Sequence, residues 1–262
     1  MRSQTLVSLA SLLLLTLSSA PSVLANAADD AQQSPSPEPL SHARVVRLSF
    51  VKGTVAARRP GSNEWVRATL ETPIEEGFSI VTTRGGAAEL QFENGSTIRL
   101  AEFSRVDFVQ LALAPHGGHV NHMTLDRGIA TMNLVPERHD EYVLNVSGVS
   151  LTPHGKTEFR TDSGRDRLRV EVFKGHVLAA DATQSEKLAK NHALAYNPAG
   201  GPFQVTAQIQ KDAWDKWVQA REEQAILAAY GETVGFGDLR YAWESDLVPF
   251  GGFGLADLGD GF

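Results

Sequence analysis

The sequence predicts an all-β domain, a twisted β-sandwich or short solenoid-like stack, followed by one amphipathic α-helix and a flexible tail. Three observations carry this prediction. From Arg44 to about Tyr196 apolar and polar residues alternate in short runs punctuated by glycine, as in strands with one buried face. From Asp212 to Tyr230 the spacing turns helical, with Trp214, Trp217, Val218, Ala225 and Ala228 on one stripe. Residues 231–262 then combine eight glycines, six aromatics, six acidic residues and one basic residue.

Residues 1–27 read as a secretory signal peptide. One basic residue, Arg2, precedes an apolar run from Leu6 to Leu17, which is followed by Pro21 and the small-residue site Ala25-Asn26-Ala27. A membrane anchor would need about 20 apolar residues, more than this run contains. Cleavage is expected after Ala27, with Ala25 as the near alternative, and the remaining chain is expected to be periplasmic or secreted, with no stable membrane insertion. Residues 28–42, with Pro35, Pro37 and Pro39, hold too little apolar surface to repay ordering and read as a disordered linker.

The chain has no cysteine. Disulfides, thiolate metal sites and cysteine nucleophiles are thereby excluded, so the fold rests on its core alone. Removing residues 1–27, which carry only Arg2, leaves 23 basic against 31 acidic residues, a balance of −8. Nucleic acid is disfavoured as a partner by this charge.

Within the β region, residues 43–198, the clearest unit surrounds Glu93-Asn94-Gly95-Ser96. A two-residue loop would mix the faces of the flanking runs. A three-residue loop, Glu93 to Gly95, sets Leu90 opposite Ile98 and Ala88 opposite Leu100, with Gly95 in the left-handed position. Similar alternation runs through Tyr142, Leu144 and Val146, and through Leu168, Val170 and Val172, where Arg167, Arg169 and Glu171 take the wet face. Three segments pass through a basic residue and glycine, at Gly53, Gly128 and Gly175. They read as recurring tight turns with positive φ. After a connector, residues 199–230 contain the helix, with Asp212 as N-cap, Asp215 in the first turn and Gly231 at C′.

The pieces KGTV, Trp65, Gly77 with SIVTT, AELQFENGSTIRLAEFS, LDRGIATM, VSLTPHGKTEFRTD and RVEVFKGHVLAA follow one another in this order from Val46 to Pro198. This run resembles the FecR-type periplasmic domain. The resemblance implies an all-β fold, no enzymatic activity and a role in engaging an envelope protein. The regulators that name the family read an outer-membrane transducer and control a sigma factor through a cytoplasmic segment. This chain departs from that plan, with no such segment before its signal sequence and no retained span, so the resemblance implies a stand-alone, secreted binding domain. The helix and aromatic tail are similar to the ends of secreted members.

No catalytic, cofactor-binding or metal residue is assigned, and no cofactor is expected. The sharpest rival is a metal-dependent hydrolase using His116, His119 and His122, imidazoles close enough in sequence to suit zinc, nickel or copper. If residues 119–125 form a strand, His119 and His122 point to opposite faces. There is no G-x-S-x-G elbow. Glu75-Glu76 and Asp29-Asp30 read as solvated charge, and Gly251-Gly252-Phe253-Gly254 lacks the lysine of a phosphate loop. Asn94-Gly95-Ser96 and Asn145-Val146-Ser147 match the glycosylation triplet but are explained by their turn and strand. A carbohydrate or cell-wall binder would show a row of exposed aromatics on one face, and the strands offer few. Trp214 and Trp217 read as sealing the helix onto a sheet. The tail reads as the segment that meets a protein partner.

Overall fold

A computed structural model describes residues 46–234, with side chains as far as residue 228. The strands are β1 (Val46–Lys52), β2 (Val55–Arg58), β3 (Val66–Arg67), β4 (Pro73–Ile74), β5 (Ser79–Thr82), β6 (Ala87–Gln91), β7 (Thr97–Leu100) and β8 (Arg105–Leu113). They continue as β9 (His119–Leu134), β10 (Glu141–Val146), β11 (Val149–Ser163), β12 (Leu168–Ala180), β13 (Ser185–Ala189), β14 (Ala193–Tyr196) and β15 (Gln204–Thr206), before helix α1 (Ala213–Val234). The expected all-β fold with a following helix is observed. The signal peptide, the linker and residues 235–262 of the tail read from the sequence lie outside the described residues.

All 15 strands join one hydrogen-bonded sheet, and three long strands divide it into two layers. The second half of β9 pairs β7 and β11, whereas its first half pairs β8 and, in parallel, β10. β11 and β12 are divided in the same way. One layer therefore runs β4–β1–β6–β7–β9–β11–β12–β14–β15 and the other β3–β2–β5–β8–β9–β10–β11–β12–β13. Apolar side chains from both, among them Leu90, Ile98, Met132 and Phe159 from the first and Ile80, Phe108, Met123 and Leu151 from the second, form one continuous core. β15 lies in the stretch expected to be connector and extends the first layer through β14.

Of the three Lys/Arg-Gly segments, the one at Gly53 turns between β1 and β2 as expected, with φ +63°, and the other two differ from the expectation of tight turns. β9 and β12 continue unbroken through Gly128 and Gly175, which mark where each strand passes from one layer to the other. The positive φ was expected and is present, +92° and +71°. A side chain is excluded on a second count: a Cβ at Gly128 would overlap Ser104, and at Gly175 it would lie 2.5 Å from the Lys156 carbonyl oxygen. At the first bend the Ser104 hydroxyl accepts from the Ile129 N–H at 2.9 Å and donates to its carbonyl at 3.0 Å, so the backbone turned out of the ladder stays satisfied.

The hairpin register is as expected. Leu90 faces Ile98 and Ala88 faces Leu100, Gly95 has φ +81°, and the Phe92 N–H closes the loop on the Ser96 carbonyl at 2.9 Å. Asn94 is built into this turn, its amide donating to Asp140 and to the Tyr142 hydroxyl. α1 starts as the sequence indicates. Asp212 accepts from the Asp215 N–H at 3.1 Å and Asp215 accepts from the Asp212 N–H at 2.9 Å, a reciprocal cap. Its end differs: the helix continues through Gly231 to Val234, since glycine inside a helix costs only about 1 kcal/mol and does not stop it.

Candidate functional site

The alternation that puts Ala88, Leu90, Ile98 and Leu100 in the core sends Glu89 and Arg99 to the outer face of the first layer. Register aligns these outward residues into one transverse row: Phe50 beside Glu89, then Arg99, Thr131, Arg160 and Glu171. Charged residues at such positions read as a wet face, and here the structure corrects the sequence. Arg99 and Thr131 have no exposed surface, and Glu89 and Glu171 are as buried as core residues. α1 lies across the row and excludes water from Glu89, Arg99 and Thr131.

Most of the contacts pair a row residue with a complementary residue of the helix or its N-cap. Arg160 donates to Asp212 at 2.8 Å and to Asp215 at 2.9 Å. The Trp214 indole N–H donates to the Thr131 hydroxyl at 3.0 Å. Arg99 donates through Nε to Glu89 at 2.6 Å and through Nη2 to Glu222 at 2.8 Å. Arg221 closes the circuit on Glu89 at 2.9 Å, and its guanidinium stands 4.7 Å from the Phe50 ring centre. Trp214 stacks on Trp217 at 4.7 Å, and Trp217 meets Phe50 at 5.5 Å. The two tryptophans thus pack the helix onto the sheet, as their spacing indicated.

Burial works against the Glu89 carboxylate, but Arg99, the Ser49 hydroxyl and Arg221 outweigh it and hold its pKa below the ordinary value. Asp212 is also lowered, because Arg160 overcomes the cost of burial. Asp215 is raised, chiefly by burial and further by the neighbouring Asp212 charge; its Oδ1 is buried without a hydrogen-bond partner.

The predicted stripe holds only in part. Trp214, Trp217 and Val218 face the sheet, but Ala225 and Ala228 are exposed. The covered stripe continues instead through the half-buried Arg221 and Glu222, at the i+7 and i+8 positions from Trp214. From Glu223 the described helix side chains are all exposed, including Ile226 and Leu227.

The histidines sit elsewhere. His116 lies in the Ala114–Gly118 turn between β8 and β9. His119 bonds Asp140 at 2.7 Å and His122 bonds Glu141 at 3.0 Å. The structure does not bring the three together: each strand imidazole takes a different carboxylate, and among the described residues no group of metal-ligating side chains assembles. Burial opposes the Asp140 carboxylate, but the Glu137 N–H, His119 and Asn94 hold its pKa low. Glu76, read as solvated charge, has a structural partner, accepting from the Leu111 N–H at 3.1 Å. The β region also exposes more apolar surface than its alternation indicated, at Val66, Leu70, Phe103 and Val109. Trp65 is 38% exposed and has Arg58 and Arg105 at 5.0 and 5.8 Å from its ring centre.

Among the described residues no helix is long and apolar enough to cross a membrane. No curated protein matches the chain. Two crystal structures of a candidate anti-sigma factor from Parabacteroides distasonis are similar to it at 11% identity, with TM-scores of 0.44 and 0.43. The similarity covers 50% of this chain and 59% of that one, so the chain spans about three-fifths of the length of the protein it matches. Residues 78–178 match the family model described as FecR protein. This stretch supplies Glu89, Arg99, Thr131 and Arg160 of the row, while Phe50 and α1 lie outside it. The chain therefore carries a FecR domain at residues 78–178.

Proposed function

We propose that this chain is an exported, non-catalytic binding module of the cell envelope that engages an envelope protein. The FecR domain at residues 78–178 is the observation that carries this reading. The side-chain chemistry supports it. The buried charges of the described residues are absorbed in holding α1 and the strands together, and His119 and His122 pair with different carboxylates, Asp140 and Glu141. Export rests on the signal-peptide pattern of residues 1–27. The contact is assigned to residues 231–262, whose aromatic anchors and acidic charge suit a modest-affinity contact with a basic surface.

Cell fractionation with amino-terminal sequencing tests the first half of the proposal. The expected product begins at Ala28 and is recovered from the periplasm or medium. An intact Met1 in the membrane fraction would contradict export. A metal assay on the same material tests the second half, since stoichiometric metal that disappears when His116, His119 and His122 are replaced would favour the hydrolase.

A further inference from the structure

We propose that α1 is an exchangeable arm, and that two copies of this chain pair by each laying its α1 across the outer row of the other. Charge complementarity identifies the occupant. From β11 toward β1 the row presents cation, hydroxyl, cation and anion at Arg160, Thr131, Arg99 and Glu89. The helix answers with carboxylates on Arg160, an indole N–H on Thr131, a carboxylate on Arg99 and a guanidinium on Glu89. A second copy offers the same helix in the same order, so exchange discards none of these contacts.

The connection to the helix is built to allow this. Between β15 and α1 the strap of residues 207–212 has no regular structure and is exposed except at Ile209. It meets the sheet through Lys211, 5.5 Å from the Phe173 ring centre, and through Asp212 on Arg160, and beside it lies a cleft of about 540 Å³ lined by Arg160, Asp162, Arg169 and Glu171 among others. The three residues of β15 are exposed, Val205 by 40%, and are held by three paired residues of β14. The anchored helix is thus tethered by a segment that can open without breaking the core. Exchange also supplies a second chain near Ile226 and Leu227, which are 48% and 67% exposed on the projecting half of α1.

Charge reversal in two complementary chains tests this. One chain from Ala28 onward carries Arg160→Glu, and the other carries Asp212→Arg with Asp215→Arg. Each is mismatched when its helix folds back on its own sheet or exchanges with an identical chain. In the mixed pair both seats are matched. Co-refolding is expected to give a complex of twice the monomer mass by light scattering, absent when the chains are refolded apart. A co-refolded mixture that stays monomeric, or equal dimer formation by each variant alone, would overturn the proposal. Because the reversed charges can impair folding, the unaltered chain is also refolded at about 100 μM, where exchange is favoured by mass action. A dimer that persists on dilution is expected, and exclusive recovery of monomer overturns the exchange.

Discussion

Two glycines with the same sign of φ differ in what surrounds them, and the difference is measurable. Gly95 has open space where a Cβ would go, so Gly95→Val meets only the left-handed penalty, about 1–2 kcal/mol. Gly128 has Ser104 in that space, and Gly128→Ala is expected to cost more than this, because the strand must shift at the layer crossing. Urea unfolding of the two variants ranks them, and a milder effect at Gly128 would contradict the two-layer bend. Only the first of these roles was legible, since the sequence around each glycine shows a turn-like break but not the neighbour 24 residues away. The buried row was hidden for a similar reason. Glu89 and Arg99 sit in perfect alternation with core residues, and the side chains that cover them come from 132 and 123 residues later. Glu89→Ala leaves Arg99 buried with one of its two carboxylates gone and is expected to cost roughly 3–5 kcal/mol. A loss below about 1 kcal/mol, the range of surface ion pairs, would mean that the row is wet.

At the scale of the element, α1 is held by ionised groups whose pH dependence has a definite sign. Glu89 and Asp212 have folded pKa values below their ordinary 4.5 and 3.8. The stability they give is fully present above those ordinary values and is lost as pH falls through the lower folded ones. Asp215 has the opposite sign: raised above 3.8, its contribution is present at acid pH and is lost as pH rises through its folded value. The helix is therefore expected to stay seated from neutral pH to about 5 and to loosen only below about 4. Tryptophan fluorescence with limited proteolysis reads this, and release between pH 5 and 7 would contradict the assignment of Glu89 and Asp212 as anchors. Asp212→Ala should cost about 1 kcal/mol through the lost cap, and Asp215→Asn less, because the charge it removes is opposed by burial and by Asp212. The start of this helix and its tryptophan contact were readable from spacing. Its seat was only half readable, because a stripe defined by apolar residues leads to Ala225 and Ala228 and misses Arg221 and Glu222, whose partners are charges rather than core.

For the whole molecule, alternation and turn chemistry were enough for the fold class and the hairpin register. They could not show that one open sheet divides into two layers, since that depends on which half of β9, β11 and β12 pairs with which neighbour. The resulting body contains the FecR match at residues 78–178 and carries α1 on one outer face. α1 covers the row on the first layer, and the apolar residues left exposed include Val66, Leu70, Phe103 and Val109 on the strands and their loops and Ile226 and Leu227 on the helix; under the proposed function, these and the residues after the helix are where a partner would bind. The measurement that tests the account most directly is cross-linking in intact cells with the tagged full-length chain and with a form ending at Tyr230, followed by identification of the proteins recovered from the envelope. The account predicts that one envelope protein is enriched with the full-length chain and that its yield falls sharply with the shorter form. Equal recovery by both forms would move the contact to the β domain, and enrichment of no envelope protein by either would contradict a binding module altogether.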